Sequence, residues 1–227
     1  MANIIPELTL FDMLDKITTY MITDLETNIT AETESSSMLY KIIGGNSYKN
    51  ETYFNTAKEL FLRKENNPNK LNIQLYFHLE PTRLPSISLS VPSESSDKTT
   101  DVLGMDSGDD YDESSTTKVP TLNRNFKASL NVIISSKNPT EQTILYHVYR
   151  GLMIAILPAL DLIGFRNPSL GGKEVQVNPE LIGTNMYVRM ITLDYFYEVV
   201  VSSAISHTII EKIDFIGTAL EIDLDTY

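Results

Sequence analysis

Apolar positions near the start of the chain recur at helical spacing. Leu10, Leu14, Ile17, Met21 and Leu25 fall on one face at intervals of three and four, which predicts an amphipathic helix over 8–26. Thr9 is the expected cap, with Asp12 three residues later in an approximate capping box. The Thr- and Glu-rich stretch Thr27 to Ser37 is expected to end that helix. A short strand is expected over Met38 to Ile43, stopped by Gly44-Gly45. Tyr53, Ala57, Leu60 and Phe61 then predict a short second helix.

The middle of the chain changes to period two. Leu71, Ile73, Leu75, Phe77 and Leu79 alternate with Asn72, Gln74, Tyr76 and His78. Ile87, Leu89 and Val91 alternate with serines, and Phe126, Ala128, Leu130, Val132 and Ile134 share one side of a third run. Such alternation predicts antiparallel strands covered on one face and wetted on the other. Asn138-Pro139-Thr140-Glu141 reads as an N-cap, a proline in the first helical position and an acid in the third. The helix it opens carries Leu145, Val148, Leu152 and Ile156, and Pro158 is expected to disturb it. Phe165 to Thr184 reads as loop, with a short strand at Glu174 to Val177. Tyr187 to Val201 reads as one long strand, and Ile205 to Ile216 as a strand leading into a tail, with 202–227 as the C-terminal segment. Helix, strands, strand, helix, strands in that order predict a single α+β domain over 1–227. Its mainly antiparallel sheet would carry helices on one face.

Charge separates one segment from the rest. Residues 93 to 118 hold eight acids and two lysines, a net of −6 that is half the protein's −12. Too polar to offset its own ordering entropy, the segment is expected to be a long mobile loop between strands. The acidic balance of the 227-residue chain argues against a protein whose work is gripping nucleic acid, which needs clustered Lys and Arg. The absence of cysteine excludes disulfides, thiolate chemistry and Cys-based zinc sites. No basic region precedes an apolar stretch at Met1 to Glu7. The most apolar run, Gly151 to Ile163, falls short of the ~20 residues of a membrane crossing. The expectation is a chain that stays in water, without a membrane partner.

Catalytic constellations are scarce. His78, His147 and His207 lie in three separate elements, and no His-Glu-x-x-His pattern exists. Gly171-Gly172-Lys173 fails as a phosphate loop, because Glu174 stands where Ser or Thr is needed and Asn167 where the first glycine is needed. Asp106, Asp109, Asp110, Asp112 and Glu113 form the best metal candidate, yet no register supplies the glycine of a calcium loop. They are read as a solvated acidic interaction loop. No Gly-x-Ser-x-Gly elbow is present. A non-catalytic protein without cofactor or metal is expected.

The strand Leu71-Asn72-Ile73-Gln74-Leu75-Tyr76, the loop end Leu122-Asn123-Arg124-Asn125, the strand Leu130 to Ile134, the capped helix from Asn138 and the late long strand follow one another in a distinctive order. Over roughly 70 to 201 this order resembles the tail terminator, or tail-completion, proteins of tailed bacteriophages and the related cap proteins of contractile injection systems. The acidic segment and the tail after Val201 have no counterpart in it. The resemblance implies a structural virion protein assembled in the host cytoplasm. It would be a ring, usually a hexamer of identical chains, that stops growth of the tail tube. Its partners would be the tube, a sheath protein and the head connector, with DNA passing through an acidic lumen without specific binding.

A strand of fifteen residues, Tyr187 to Val201, would extend roughly 50 Å at ~3.3 Å per residue, beyond the reach of strands of five to nine. It is therefore expected to pair with a neighbouring subunit, Ile191, Leu193, Tyr195 and Tyr197 supplying the apolar face and Asp194 and Glu198 the other. The alternative is a hairpin with Ile205 to Ile216 inside one subunit. Three other functions stay open: another neck ring (head-completion, adaptor or sheath-stabilising), a metal-dependent enzyme using the acidic loop, and a soluble binding module.

Overall fold

The structure, a computed structural model, describes residues 4–28, 30, 33–44, 50–64, 66–76, 84–96, 121–175 and 186–202. They form an α+β fold, with helices and a six-stranded, mostly antiparallel sheet. Helices α1 (Pro6–Thr27), α2 (Asn50–Phe61) and α3 (Pro139–Leu162) accompany strands β1 (Asn72–Tyr76), β2 (Ser86–Leu89), β3 (Ser93–Ser96), β4 (Thr121–Ser136), β5 (Arg166–Val175) and β6 (Tyr187–Ser202). The strand order is β1-β2-β4-β6-β5, with β3 also paired to β4. The chain divides into two compact units. Ile4–Glu94 and Ala128–Phe196 form one, and Met1–Asn3, Ser95–Lys127 and Tyr197–Tyr227 form the other. Within the second, Phe126 stacks on Tyr197 with ring centroids 5.5 Å apart.

Helix α1 buries Leu10, Leu14, Met21 and Leu25 as its pattern requires, but the fifth buried position is Thr18, and Ile17 is only half-buried. Thr18 survives burial because its hydroxyl donates to the Leu14 carbonyl at 2.7 Å and lies 2.7 Å from the Tyr149 hydroxyl of α3. The helix starts earlier than expected. Pro6 takes the first turn after Ile5, where its missing N–H costs nothing, and Thr9 donates to the Ile5 carbonyl instead of capping. Asp12 bonds Lys16 one turn on, so there is no capping box.

The strand expected over Met38 to Ile43 is a helical turn of π type, Tyr40–Gly44. Local caps explain the correction. Ser37 Oγ accepts the Tyr40 N–H at 3.2 Å, and Asp24 Oδ2 of α1 accepts the Met38 N–H at 2.6 Å. Both serve free N–H groups that a strand would have offered to a neighbouring strand. Helix α2 buries Ala57, Leu60 and Phe61 as its pattern requires, but Phe54 is buried in place of Tyr53, which is exposed.

Two expectations for the sheet are corrected. Strand β1 runs parallel to β2, with Asn72 opposite Ser86 and Ile73 opposite Ile87. Alternation reports which faces are covered and carries no information on direction. The β2 serines are not wetted either: Ser86 and Ser88 are as buried as Ile87 and Leu89. β2 sits between β1 and β4 and is covered on both faces. On the far side Leu84, Ile133, Met186 and Val188 form a second apolar cluster, flanked by Val175 and Met190. The segment 93–118 begins as strand β3, so the loop expected there does not include Ser93–Ser96; residues 97–118 lie outside the described residues.

Asn138 caps α3 as predicted, accepting the Thr140 N–H at 2.9 Å, with Pro139 and Glu141 in the first turn. Pro158 does not end the helix, which continues to Leu162. The proline sits on the exposed side, where water can serve the carbonyl one turn back that loses its donor. The helix ends in a Schellman motif. Gly164, at φ 115°, lets the Phe165 N–H reach the Leu160 carbonyl at 3.0 Å, and both side chains are fully buried. By length and composition alone α3 could cross a membrane; here eight of its side chains pack into the core.

The described part of the loop expected over Phe165 to Thr184 is mostly strand β5, ten residues on the outside of β6 that reach back well before the short strand expected at Glu174; residues 176–184 lie outside the described residues. Glycines, a proline and charges hid it from pattern reading. Its register slips between Arg166 and Ser169, where Asn167 takes φ 51°. No other described strand pairs along its outer edge.

Candidate functional site

The residues singled out on β6 lie in an interior strand. Ile191, Leu193, Tyr195 and Tyr197 are buried, while Asp194 and Glu198 are half-buried. Strand β6 is flanked by β4 on one side and β5 on the other. β4 is also 16 residues long, so the premise that β6 outruns every partner is corrected. Tyr195 packs on Phe165 at 4.7 Å between centroids. The acidic residues Asp106, Asp109, Asp110, Asp112 and Glu113 lie outside the described residues, as do His78, His207 and the segment Ile205 to Ile216. Among the described residues no group of three or more His, Asp or Glu is placed to hold a metal ion.

A well-formed concavity lies elsewhere. A cavity of about 480 Å³ opens between the π turn, α2 and the first half of α3, lined by Ile42, Ile43, Tyr53, Thr140, Thr143, Ile144 and His147. Its volume falls within the range of pockets that hold small molecules or side chains. The widened turn sets Ile42 directly against α3, where Gly151 makes room. A β-carbon at position 151 would come within 2.9 Å of Ile42 Cγ2. The walls are mainly aliphatic, and the polar groups are two threonines, the phenol of Tyr53 and the His147 imidazole. Sequence reading missed this site because it took the π turn for a strand. The signal that could have found it is Ser37, three residues before Tyr40, a spacing that caps helices.

His147, at the rim of the cavity, is near two arginines. His147 packs edge-on against Tyr146 at 5.4 Å between centroids. Desolvation, followed by the charges of Arg189 and Arg150, holds its pKa below the ordinary histidine value, so the ring is neutral near pH 7. Arg189 lies over the Tyr146 ring, 5.5 Å from its centroid, and 3.6 Å from Glu174. Tyr146 in turn covers Gly172 so closely that a β-carbon there would lie 2.0 Å from the phenol oxygen. The Gly-Gly-Lys run is therefore strand β5 beneath a tyrosine.

Behind the cavity, α3 is anchored on its other sides. Glu141 pairs with Arg63, which also donates to the Asn69 carbonyl at 2.9 Å, and Glu141 accepts from Ser136 Oγ at 3.2 Å. Tyr149 is fully buried, and burial raises its phenol pKa despite the Thr18 hydrogen bond.

No protein-family model matches the chain, and no curated protein matches it either.

A further exposed apolar surface lies in the second half of α3 and beside it. Leu162 is 88% exposed and Ile154 54%, with Ile163 and the α1 residues Ile5 and Leu8 also exposed. Ile4 touches the Gly164 turn, its Cγ2 lying 3.4 Å from where a β-carbon would stand, so the start of α1 and the end of α3 meet. The arrangement can bind an apolar group at one place and present one at another.

Proposed function

We propose that this chain is a structural virion protein forming a ring, six identical copies in the simplest case, at the head-proximal end of a bacteriophage tail. There it ends growth of the tail tube and joins it to the head connector. The observation that carries this reading is the element order: strands β1 and β2, the long strand β4, the Asn138-capped helix α3, then β5 and the long strand β6. The resemblance to tail terminators rests on α1, β1, β4, α3 and β6 in that order; β2 and β5 are not among its elements. The net charge of −12 suits a lumen through which DNA slides without being held. Chemically, the cavity beside the π turn joins three isoleucines to neutral polar groups, the character of a contact surface. The protein's partners in this reading are its own copies, the tube, a sheath protein where the tail contracts, and the neck proteins.

Negative-stain imaging of the purified protein tests it. Rings with a hole wide enough for duplex DNA are expected, and their binding to purified tubes at one end only separates a terminator from the other neck rings. A uniformly monomeric protein would refute the proposal.

A further inference from the structure

The hydroxyls of Ser86 and Ser88 on β2 and of Ser135 on β4 are buried, and none of the three meets a hydrogen-bond partner in the protein. Buried polar groups in folded proteins almost always bond to protein or to ordered water, because an unmade bond there is costly. The three share one face of the sheet. Ser86 stands directly opposite Ser135 in the antiparallel register, and Ser88 follows two positions on, where the pleat returns its side chain to the same face. Cross-strand β-carbons lie ~5 Å apart and diagonal neighbours ~7–8 Å, so hydroxyls that lean inward come within two hydrogen-bond lengths of one another. Ser90, next in the row, shows the satisfied case: its Oγ accepts the Asn131 N–H at 3.0 Å. On the other flank Asn72 and Gln74, in register with Ser86 and Ser88, bond to each other at 3.2 Å. All these side chains are neutral, and hydroxyls both donate and accept. Their chemistry suits a small neutral molecule that does the same, and does not suit an ion. Serine is also much smaller than Ile133, which shares that face opposite Ser88, and so leaves volume beside the strands.

We infer that Ser86, Ser88 and Ser135 form an internal water site, in which one molecule bridges the three hydroxyls. A water held in this way makes the usual three or so hydrogen bonds of a buried water. It ties β2 to β4 through side chains in addition to the backbone ladder. The site goes beyond the assembly reading and does not depend on it.

Two measurements on the full chain test it. The first is a crystal structure of the unaltered protein at a resolution that shows ordered water. Density for one water is expected within ~2.6–3.2 Å of all three hydroxyls. The second is chemical denaturation of Ser86→Ala, Ser135→Ala and the double variant. Each single change should lower the folding equilibrium constant by roughly three- to tenfold, since it takes a bond from the water and leaves the other hydroxyls less well served. The double variant should lose less than the product of the two, because both hydroxyls act through the same molecule. Three results would each overturn the site: hydroxyls bonded directly to one another or to strand carbonyls, alanine variants as stable as the unaltered chain or more so, and losses that multiply in full. The crystallographic measurement needs no variant, so it decides the matter even where a substitution prevents folding.

Discussion

The two halves of α3 are built for different purposes. Its first half is held on every side but the cavity's: Asn138 caps it, Glu141 is tied to Arg63 and Ser136, and Tyr149 is sealed against Thr18 of α1. Its second half keeps Leu152, Met153 and Leu160 in the core but turns Ile154, Pro158 and Leu162 outward. A single helix thus has one end that secures the fold and another that leaves apolar surface uncovered. Apolar content alone does not tell the two apart; partners do.

Substitutions along the helix should expose this gradient. Tyr149→Ala should be the most damaging, at about 3–5 kcal/mol, because it empties a fully buried aromatic site and removes the hydroxyl bonded to Thr18. Chemical denaturation measures it, and a loss under ~1 kcal/mol would show that the first half is not the anchor. Glu141→Ala comes next, at about 1.5–3 kcal/mol, because it leaves Arg63 without its carboxylate in a half-buried setting. Charge reversal at both positions should restore part of that loss. In the second half, Gly164→Ala should cost roughly 1–2 kcal/mol, since the residue sits at φ 115° and its new methyl meets Ile4. A neutral result would mean that the helix end rearranges freely.

The smallest effect concerns pH. His147 has a lower pKa folded than unfolded, so the unfolded chain takes up a proton first as pH falls. Stability should therefore decline below about pH 6.5, the unfolded value, and level off once the folded pKa is passed. His147→Gln should remove that part of the slope and leave the plateau near pH 7 unchanged. An unaltered slope in the variant would assign the dependence to other groups.

Much of this fold was legible in the sequence wherever one physical signal acted alone. The α1 stripe, the alternation from Phe126 to Ile134 and the cap at Asn138 each appear in the structure as elements. Legibility failed where tertiary context decided. Nothing local marks Asp24 as the acceptor for Met38 N–H, fourteen residues away, so the turn at Tyr40–Gly44 read as a strand. Ser86 and Ser88 looked wetted because serine is polar, yet flanking strands and packing on both faces bury them. The β6 segment was correctly read as a long strand, but its neighbours were not foreseen, because β5 was hidden among Gly, Pro and Lys. The cavity depends on the misread turn, so it was invisible as well.

The same composition that hid β5 has a material consequence. An outermost strand with free amides is a seed for fibres, since any extended chain can add to it. Here that margin is interrupted by the register slip around Asn167, by Pro168 with no amide hydrogen to give, and by the exposed charges of Lys173 and Glu174. Among the described strands, that margin is thereby poorly templated for open-ended growth.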